Sequence, residues 1–116
     1  MQITNNYQPS FLGKKSIIER SAKKIMQKRT SPEQVKKLED EFKKACEEYN
    51  KYDIIIGTAD DNSGRLDAII TYENQSRYIK ESMFACLFST PKKFFDKVYK
   101  KIDQDILSIV KKGYIV

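Results

Sequence analysis

The segment from residue 52 to residue 73, YDIIIGTADDNSGRLDAIITYE, constrains the fold of this chain more than any other. Two runs rich in β-branched apolar residues, 52–56 and 66–72, flank a cluster of turn-forming residues at 60–64. Alternating side chains in the second run put one apolar face toward a core. The segment therefore predicts a β-hairpin. Because two strands alone are only marginally stable in water, the rest of the chain must cover that face.

Two segments before the hairpin have the apolar spacing of amphipathic helices. The first begins at Lys14 or Lys15, and its stripe consists of Ile18, Ala22, Ile25 and Met26. The second has a clear start, because Ser31 is a favourable N-cap residue and Pro32 suits the first helical position. Its apolar stripe continues to about Tyr49. The sequence therefore predicts two consecutive helices ahead of the sheet.

A third helix is predicted over residues 91–112, after a second start signal at Thr90-Pro91. It carries the strongest apolar stripe in the chain: Phe94, Phe95, Val98, Ile102, Ile106, Ile109 and Val110. The hairpin offers a matching apolar face in Leu66, Ala68, Ile70 and Tyr72. We expect this helix and the hairpin to meet and form the main core.

The segment RYIKESMFACLF, residues 77–88, is ambiguous, since its apolar residues fit either a helix or a strand. We predict a strand, because the hairpin needs a third strand and the short polar link at 73–76 suits a meander. The resulting order is ααβββα. This is an α+β domain with a small three-stranded antiparallel meander covered on one face by helices. Residues 1–13 are expected to form an extended N-terminal arm and residues 14–116 the single α+β domain.

Composition limits the class of protein. The length of 116 residues suits one domain, and the balance of 40% apolar and 33% charged residues is typical of a folded, water-exposed chain. No apolar run approaches the roughly 18 residues that span a bilayer. The first residues lack a recognisable targeting pattern. We therefore expect a cytoplasmic protein with no membrane partner. Cys46 and Cys86 are too few and too far apart for a disulfide framework, so we expect reduced thiols.

The absence of histidine removes Ser-His-Asp sites, Cys-His sites and histidine-ligated zinc sites. The run Asp60-Asp61-Asn62-Ser63-Gly64 resembles the start of a calcium loop, but the later oxygen ligands are missing, so we interpret it as a hairpin turn. Only four glycines are present, and none forms a phosphate-binding motif. We expect no cofactor, no metal site and no catalytic residues.

A metal-dependent nuclease is a remote alternative, because a helix followed by a three-stranded meander can carry carboxylates and a lysine around a divalent ion. Asp53 and Asp67 lie on candidate strands, and Lys80 lies on the third. The position two residues before Lys80 is Tyr78, where that class of enzyme has an acidic residue. The sequence therefore leaves enzymatic activity unproven and favours a protein without it.

Nucleic-acid binding is the stronger alternative. The net charge is +6, and lysines concentrate in the first and last helices, on either side of an acidic hairpin. If those two helices lay side by side, their basic residues would form one face. The candidate residues are Lys14, Lys15, Lys23, Lys24, Lys28, Arg29, Lys92, Lys93, Lys97, Lys100 and Lys101. No helix-turn-helix or RRM pattern accompanies them.

The polarised charge, the small size and the lack of catalytic motifs together favour a non-enzymatic binding or accessory protein. We expect it to act through a protein partner. Assembly into a homodimer is compatible with the sequence. Neither helix start carries the signature of a known family.

Overall fold

The computed structural model describes residues 16–111, with side chains described as far as Ile106. The elements in chain order are β1 Ile17–Ile18, α1 Arg20–Arg29, α2 Pro32–Glu48, β2 Asp53–Thr58, β3 Leu66–Tyr72, β4 Gln75–Lys80, α3 Met83–Phe88 and α4 Pro91–Lys111. The predicted N-terminal arm, residues 1–13, lies outside the described residues, as do Lys14 and Lys15.

The predicted α+β class is confirmed, and so is the antiparallel meander, formed by β2, β3 and β4. The sheet within the described residues has one strand more than predicted. The two-residue strand β1 pairs in parallel with β2, which makes the strand order β1-β2-β3-β4 and the sheet mixed. Consequently β1 and β4 are the two edge strands of the sheet.

The start of the first helix is corrected. Residues 17–18, predicted as helix, form β1, and α1 begins only at Arg20. The hydroxyl of Ser16 accepts a hydrogen bond from the backbone N–H of Ile54 at 2.9 Å. It also donates to the carbonyl of Tyr52 at 3.5 Å. Isoleucine is β-branched and favours strands over helices, and in β1 the two isoleucines pair with the neighbouring strand β2.

The segment at 77–88 was predicted as one strand, and this is wrong for its second half. The strand β4 ends at Lys80, and α3 follows from Met83 to Phe88. The helix start is local, because the Ser82 hydroxyl accepts a hydrogen bond from the N–H of Ala85 at 3.1 Å and so caps the first turn. The cap predicted for α2 is confirmed, since the Ser31 hydroxyl accepts a hydrogen bond from the N–H of Gln34 at 3.2 Å.

The core lies between the inner face of the sheet and the helices α1, α2 and α4. Both sheet and helices contribute fully or almost fully buried side chains to one cluster: Ala22, Met26, Val35, Leu38, Phe42, Ile54, Ile56, Leu66, Ala68, Ile70, Phe94, Phe95, Val98 and Ile102. The expected meeting of the last helix with the hairpin is confirmed, since the first four residues of its predicted stripe lie in the same buried cluster as residues of β3. Ile106, also in that stripe, is 36% exposed, and the side chains of Ile109 and Val110 lie outside the described residues. The opposite face of the sheet is partly exposed, and there Ile17, Ile55, Ile69 and Tyr78 stand in register across all four strands.

We predict that Ile102→Ala lowers the free energy of unfolding by about 2 to 5 kcal/mol, because Ile102 is fully buried and the cavity left would not close completely. Ile106→Ala on the same helix is the matched control, since Ile106 is 36% exposed and should cost clearly less. Urea denaturation followed by circular dichroism measures both changes. Equal losses in the two variants would contradict the assignment of Ile102 to the core.

Candidate functional site

The helix α3 exposes its apolar side chains. Phe84 is 73% exposed, Phe88 72%, Leu87 66% and Met83 45%, and no residue of the helix is buried. We call these four residues the α3 surface. The rings of Phe84 and Phe88, one helical turn apart, contact each other with centroids 4.9 Å apart. A contiguous group of large exposed apolar side chains is unusual on a monomeric protein and is typical of an interaction site.

The helix is held in place by a buried ion pair below it. The Arg29 guanidinium at the end of α1 donates two hydrogen bonds to the Glu81 carboxylate, at 2.7 and 3.0 Å. The same guanidinium donates to the carbonyl of Ser89 at 2.9 Å and to that of Ala85 at 3.4 Å. Arg29 therefore contacts Glu81, two residues before α3, one carbonyl within the helix and the carbonyl of the residue that follows it.

Glu81 also completes the sheet. Its backbone N–H donates to the carbonyl of Leu66 at 2.8 Å, and its carboxylate accepts a hydrogen bond from the N–H of Leu66 at 3.2 Å. The Glu81 side chain is only 2% exposed. A buried carboxylate is tolerated when it is paired and hydrogen-bonded, as this one is. Glu81 thus ends the β3–β4 ladder and fixes the direction in which the chain enters α3.

The polar contacts that position α3 do not involve its large apolar side chains. Its start is capped by Ser82, its end is held by Arg29, and the Cys86 thiol lies 3.6 Å from the carbonyl of Gly64 in the β2–β3 turn. These are polar contacts, whereas the apolar side chains of the α3 surface face solvent. The arrangement presents an apolar surface on a rigid base.

A second candidate surface is a groove of about 490 Å³ between β4 and α4. We call it the lysine groove, because four of the residues that line it are lysines. Its lining residues are Tyr78, Ile79, Lys80, Lys97, Lys100, Lys101 and Gln104. Within the part of the chain that the structure describes, none of these lysines forms an ion pair. The groove therefore concentrates positive charge that no ion pair with a described residue neutralises.

Tyr78 stands at the side of this groove with its hydroxyl engaged. The hydroxyl donates to the Asp67 carboxylate at 2.8 Å. That hydrogen bond, with desolvation and the charge of Asp67 adding to it, raises the pKa of Tyr78 to about 12. The ring is therefore a neutral, oriented side chain at the groove rather than a titrating group near neutral pH.

The structure gathers only some of the basic residues predicted to bind nucleic acid. Lys97, Lys100 and Lys101 share the lysine groove. Two of the others form surface ion pairs, Lys23 with Glu39 at 3.0 Å and Lys92 with Asp96 at 3.3 Å, and Arg29 is bound to Glu81 inside the protein. The remaining described residues, Lys24, Lys28 and Lys93, are exposed. Lys14 and Lys15 lie outside the described residues. The helix α2 packs against both α1 and α4. Nucleic-acid binding by these residues stays a prediction.

Neither the place of Lys80 in the basic cluster nor the α3 surface was predicted from the sequence. Lys80 was considered only for the nuclease alternative, although its position two residues after Tyr78 puts both on one face of a strand. For α3, the helical spacing of Met83 and Leu87 was visible, and Ser82 was an unused cap signal. No sequence signal separates an exposed apolar helix from a buried one.

The acidic residues considered for metal binding are placed apart. Asp67 pairs in register with Gly57, whereas Asp53 lies at the other end of β2, opposite Thr71. At about 3.3 Å per residue this separates the two positions by roughly 13 Å. Lys80 is the cross-strand neighbour of Asp67. Among the described residues, no group of three or more histidine, cysteine, aspartate or glutamate side chains could hold a metal ion.

In the acidic turn between β2 and β3, the Asp61 carboxylate accepts hydrogen bonds from other residues of the turn. Asp61 accepts hydrogen bonds from the backbone N–H and hydroxyl of Ser63 and from the Arg65 guanidinium. The side-chain hydrogen bond from Ser63, followed by that from Arg65, holds the pKa of the Asp61 carboxyl well below its usual range. Positive φ angles at Asn62 and Gly64 complete the turn. The oxygens of Asp61 are thus engaged inside the loop.

No protein-family model, no curated protein and no solved structure matches the chain. A search of the described residues also finds no helix with the length and apolar character needed to cross a membrane.

We predict that Glu81→Gln lowers the free energy of unfolding by about 3 to 5 kcal/mol, because it leaves the Arg29 guanidinium, whose side chain is only 15% exposed, without a carboxylate. The double variant Arg29→Gln/Glu81→Gln should recover part of this loss, since no unpaired charge remains. Glu47→Gln, at an exposed position of α2, is the control and should change stability by less than about 0.5 kcal/mol. Chemical denaturation of the four proteins gives the values. A single variant as stable as the parent would show that the ion pair does not hold α3.

We also predict an unusually acidic titration for Asp61. Its carboxyl should titrate below the ordinary value of about 3.9, as followed by carbon NMR of the side chain. Because the folded pKa is depressed, the contribution of the loop to stability is present above pH 4 and is lost as the pH falls further. Ser63→Ala and Arg65→Ala should each raise the midpoint. A midpoint unchanged in both variants would contradict this arrangement of the loop.

Proposed function

We propose that the protein is a non-enzymatic binding protein that docks on a protein partner through the α3 surface. The observation that carries this proposal is that Phe84, Leu87 and Phe88 are each about two-thirds or more exposed on a helix that buries none of its residues. A domain of this size gains stability chiefly from apolar burial. A helix that contributes no buried side chain to the core and still has several specific polar contacts is well suited to recognition.

The energetics of protein interfaces support this use. A few large side chains near the centre of an interface provide most of the binding energy, and aromatic residues are frequent among them. Phe84 and Phe88 are already in contact with each other in the free protein. The helix is fixed by Arg29, so little conformational entropy would be lost on docking.

The charge of the residues next to α3 indicates what kind of surface the partner would have. Lys92 and Lys93 lie in the first turn of α4, shortly after α3, and are exposed; Lys92 also pairs with Asp96 on the surface. We therefore propose a partner with an apolar groove that accepts the two phenylalanine rings and Leu87, bordered by acidic residues. The mode of binding is a helix placed in a groove, with the helix limited here to the six residues of α3.

The first experiment is site-specific photo-crosslinking in extracts of the source cells. A benzoylphenylalanine residue in place of Phe84 should give one discrete crosslinked protein. The same residue in place of Asn74, at the opposite end of β4, should not give that product. Unmodified protein in excess should abolish the crosslink, because both compete for the partner.

Two competitors make this test specific. Phe84→Ser/Phe88→Ser should fail to compete while keeping the stability of the parent within about 1 kcal/mol, since both side chains are exposed. Ile69→Ser replaces an apolar residue exposed on the uncovered face of the sheet and should compete like the parent. Undiminished competition by the α3 variant would refute the proposal. A crosslink between two copies of the chain would instead make α3 a self-association surface.

A further inference from the structure

Within residues 16–111, the edge strand β4 has backbone groups along the lysine groove that pair with no other strand. The hydrogen bond from the Glu81 N–H to the Leu66 carbonyl identifies these two as a hydrogen-bonded pair of the antiparallel ladder. Such pairs alternate, so in the observed register Ile79 and Arg77 also direct their backbone groups toward β3. The N–H and C=O groups of Ser76, Tyr78 and Lys80 therefore point away from the sheet.

These outward groups lie where the groove is basic. Tyr78 and Lys80 line the groove from the strand side, and Lys97, Lys100 and Lys101 line it from α4. Among the described residues, no backbone hydrogen bond reaches the N–H or C=O of Tyr78 or Lys80 from this side. An open strand edge is a template for another strand, and proteins commonly protect such edges with lysine. Here the lysines also favour a negatively charged strand over a neutral or positively charged one.

We propose that the β4 edge binds an extended acidic segment of a partner protein, which adds to the sheet as a further strand. The backbone of the segment would pair with the N–H and C=O groups of Tyr78 and Lys80. Its aspartate or glutamate side chains would lie beside Lys97, Lys100 and Lys101. This inference goes beyond the proposed function, because it uses a surface separate from α3 and a different chemistry.

The observations favour a peptide over a nucleic acid. The outward carbonyls of Tyr78 and Lys80 need donors, which a peptide backbone supplies and a phosphate backbone does not. The groove cations are all lysine, whereas recognition of phosphate makes frequent use of the arginine fork.

The binding experiment uses a capped eight-residue peptide of alternating glutamate and valine, labelled with a fluorophore, at low ionic strength. Anisotropy should show saturable binding to the full chain. Lys97→Glu/Lys101→Glu should weaken it roughly tenfold or more, because two favourable charge contacts become unfavourable. Lys43→Glu/Lys44→Glu changes the charge equally on the exposed side of α2 and should have little effect. Phe84→Ser/Phe88→Ser should also bind the peptide normally, which separates this proposal from the proposed function.

The backbone contribution is tested by Tyr78→Pro. This change removes an outward N–H and leaves the ladder to β3 intact, and proline is tolerated on edge strands. The variant should keep its thermal transition and lose most of the binding. Hydrogen exchange on the unaltered chain is a second measurement that does not depend on the variant. Peptide should slow exchange of the Tyr78 and Lys80 amides and leave the Ile79 amide, already bonded to β3, nearly unchanged.

A ten-residue oligothymidine provides the nucleic-acid comparison. Peptide binding with slowed exchange at Tyr78 and Lys80 supports the proposal. Three results would overturn it: no peptide binding at low ionic strength, peptide binding without any change in the exchange of those two amides, or tighter binding of the oligonucleotide with the same dependence on Lys97 and Lys101. The last result would make the groove a nucleic-acid site.

Discussion

The buried ion pair between Arg29 and Glu81 connects four parts of the molecule. It joins the end of α1, the last pair of the β3–β4 ladder, the helix α3 and the approach to α4. Burying two charged groups costs free energy, and the cost is offset here because each oxygen and each engaged N–H has a partner at hydrogen-bond distance. The layer of helices is thereby fixed to one end of the sheet as well as to its face. Both candidate surfaces depend on this, since α3 and α4 start beside it.

Most of the fold could be predicted because its signals are local. The turn-rich interruption between two β-branched runs indicates the hairpin, Ser31 and Pro32 mark the start of α2, and the stripe through Ile102 indicates which side of α4 is buried. The errors occur where distant residues decide the structure. Ile17 is a strand residue because Ile55 lies beside it, and no pattern near Ile17 reveals that neighbour.

The candidate surfaces were harder to predict than the fold for a related reason. Periodicity indicates which residues share a side of an element, but the position of neighbouring elements decides whether that side is buried. Phe84 and Phe88 are side chains of a type usually found in a protein core, yet both are exposed to solvent. Likewise, Lys80 and Lys97 belong to different elements, and only the packing of α4 beside the edge strand makes them one groove.

The anchoring of α3 separates the stability of the fold from the specificity of recognition. Its attachments involve backbone carbonyls, the cap at Ser82 and the Arg29 guanidinium, so they do not depend on which side chains occupy positions 83, 84, 87 and 88. Substitutions at those positions would alter what the helix contacts outside the protein without removing any of these polar attachments. In evolutionary terms, such a helix can acquire a new partner in a few steps, because the intermediates remain folded. The same property makes α3 a suitable position for inserting foreign recognition sequences into this scaffold.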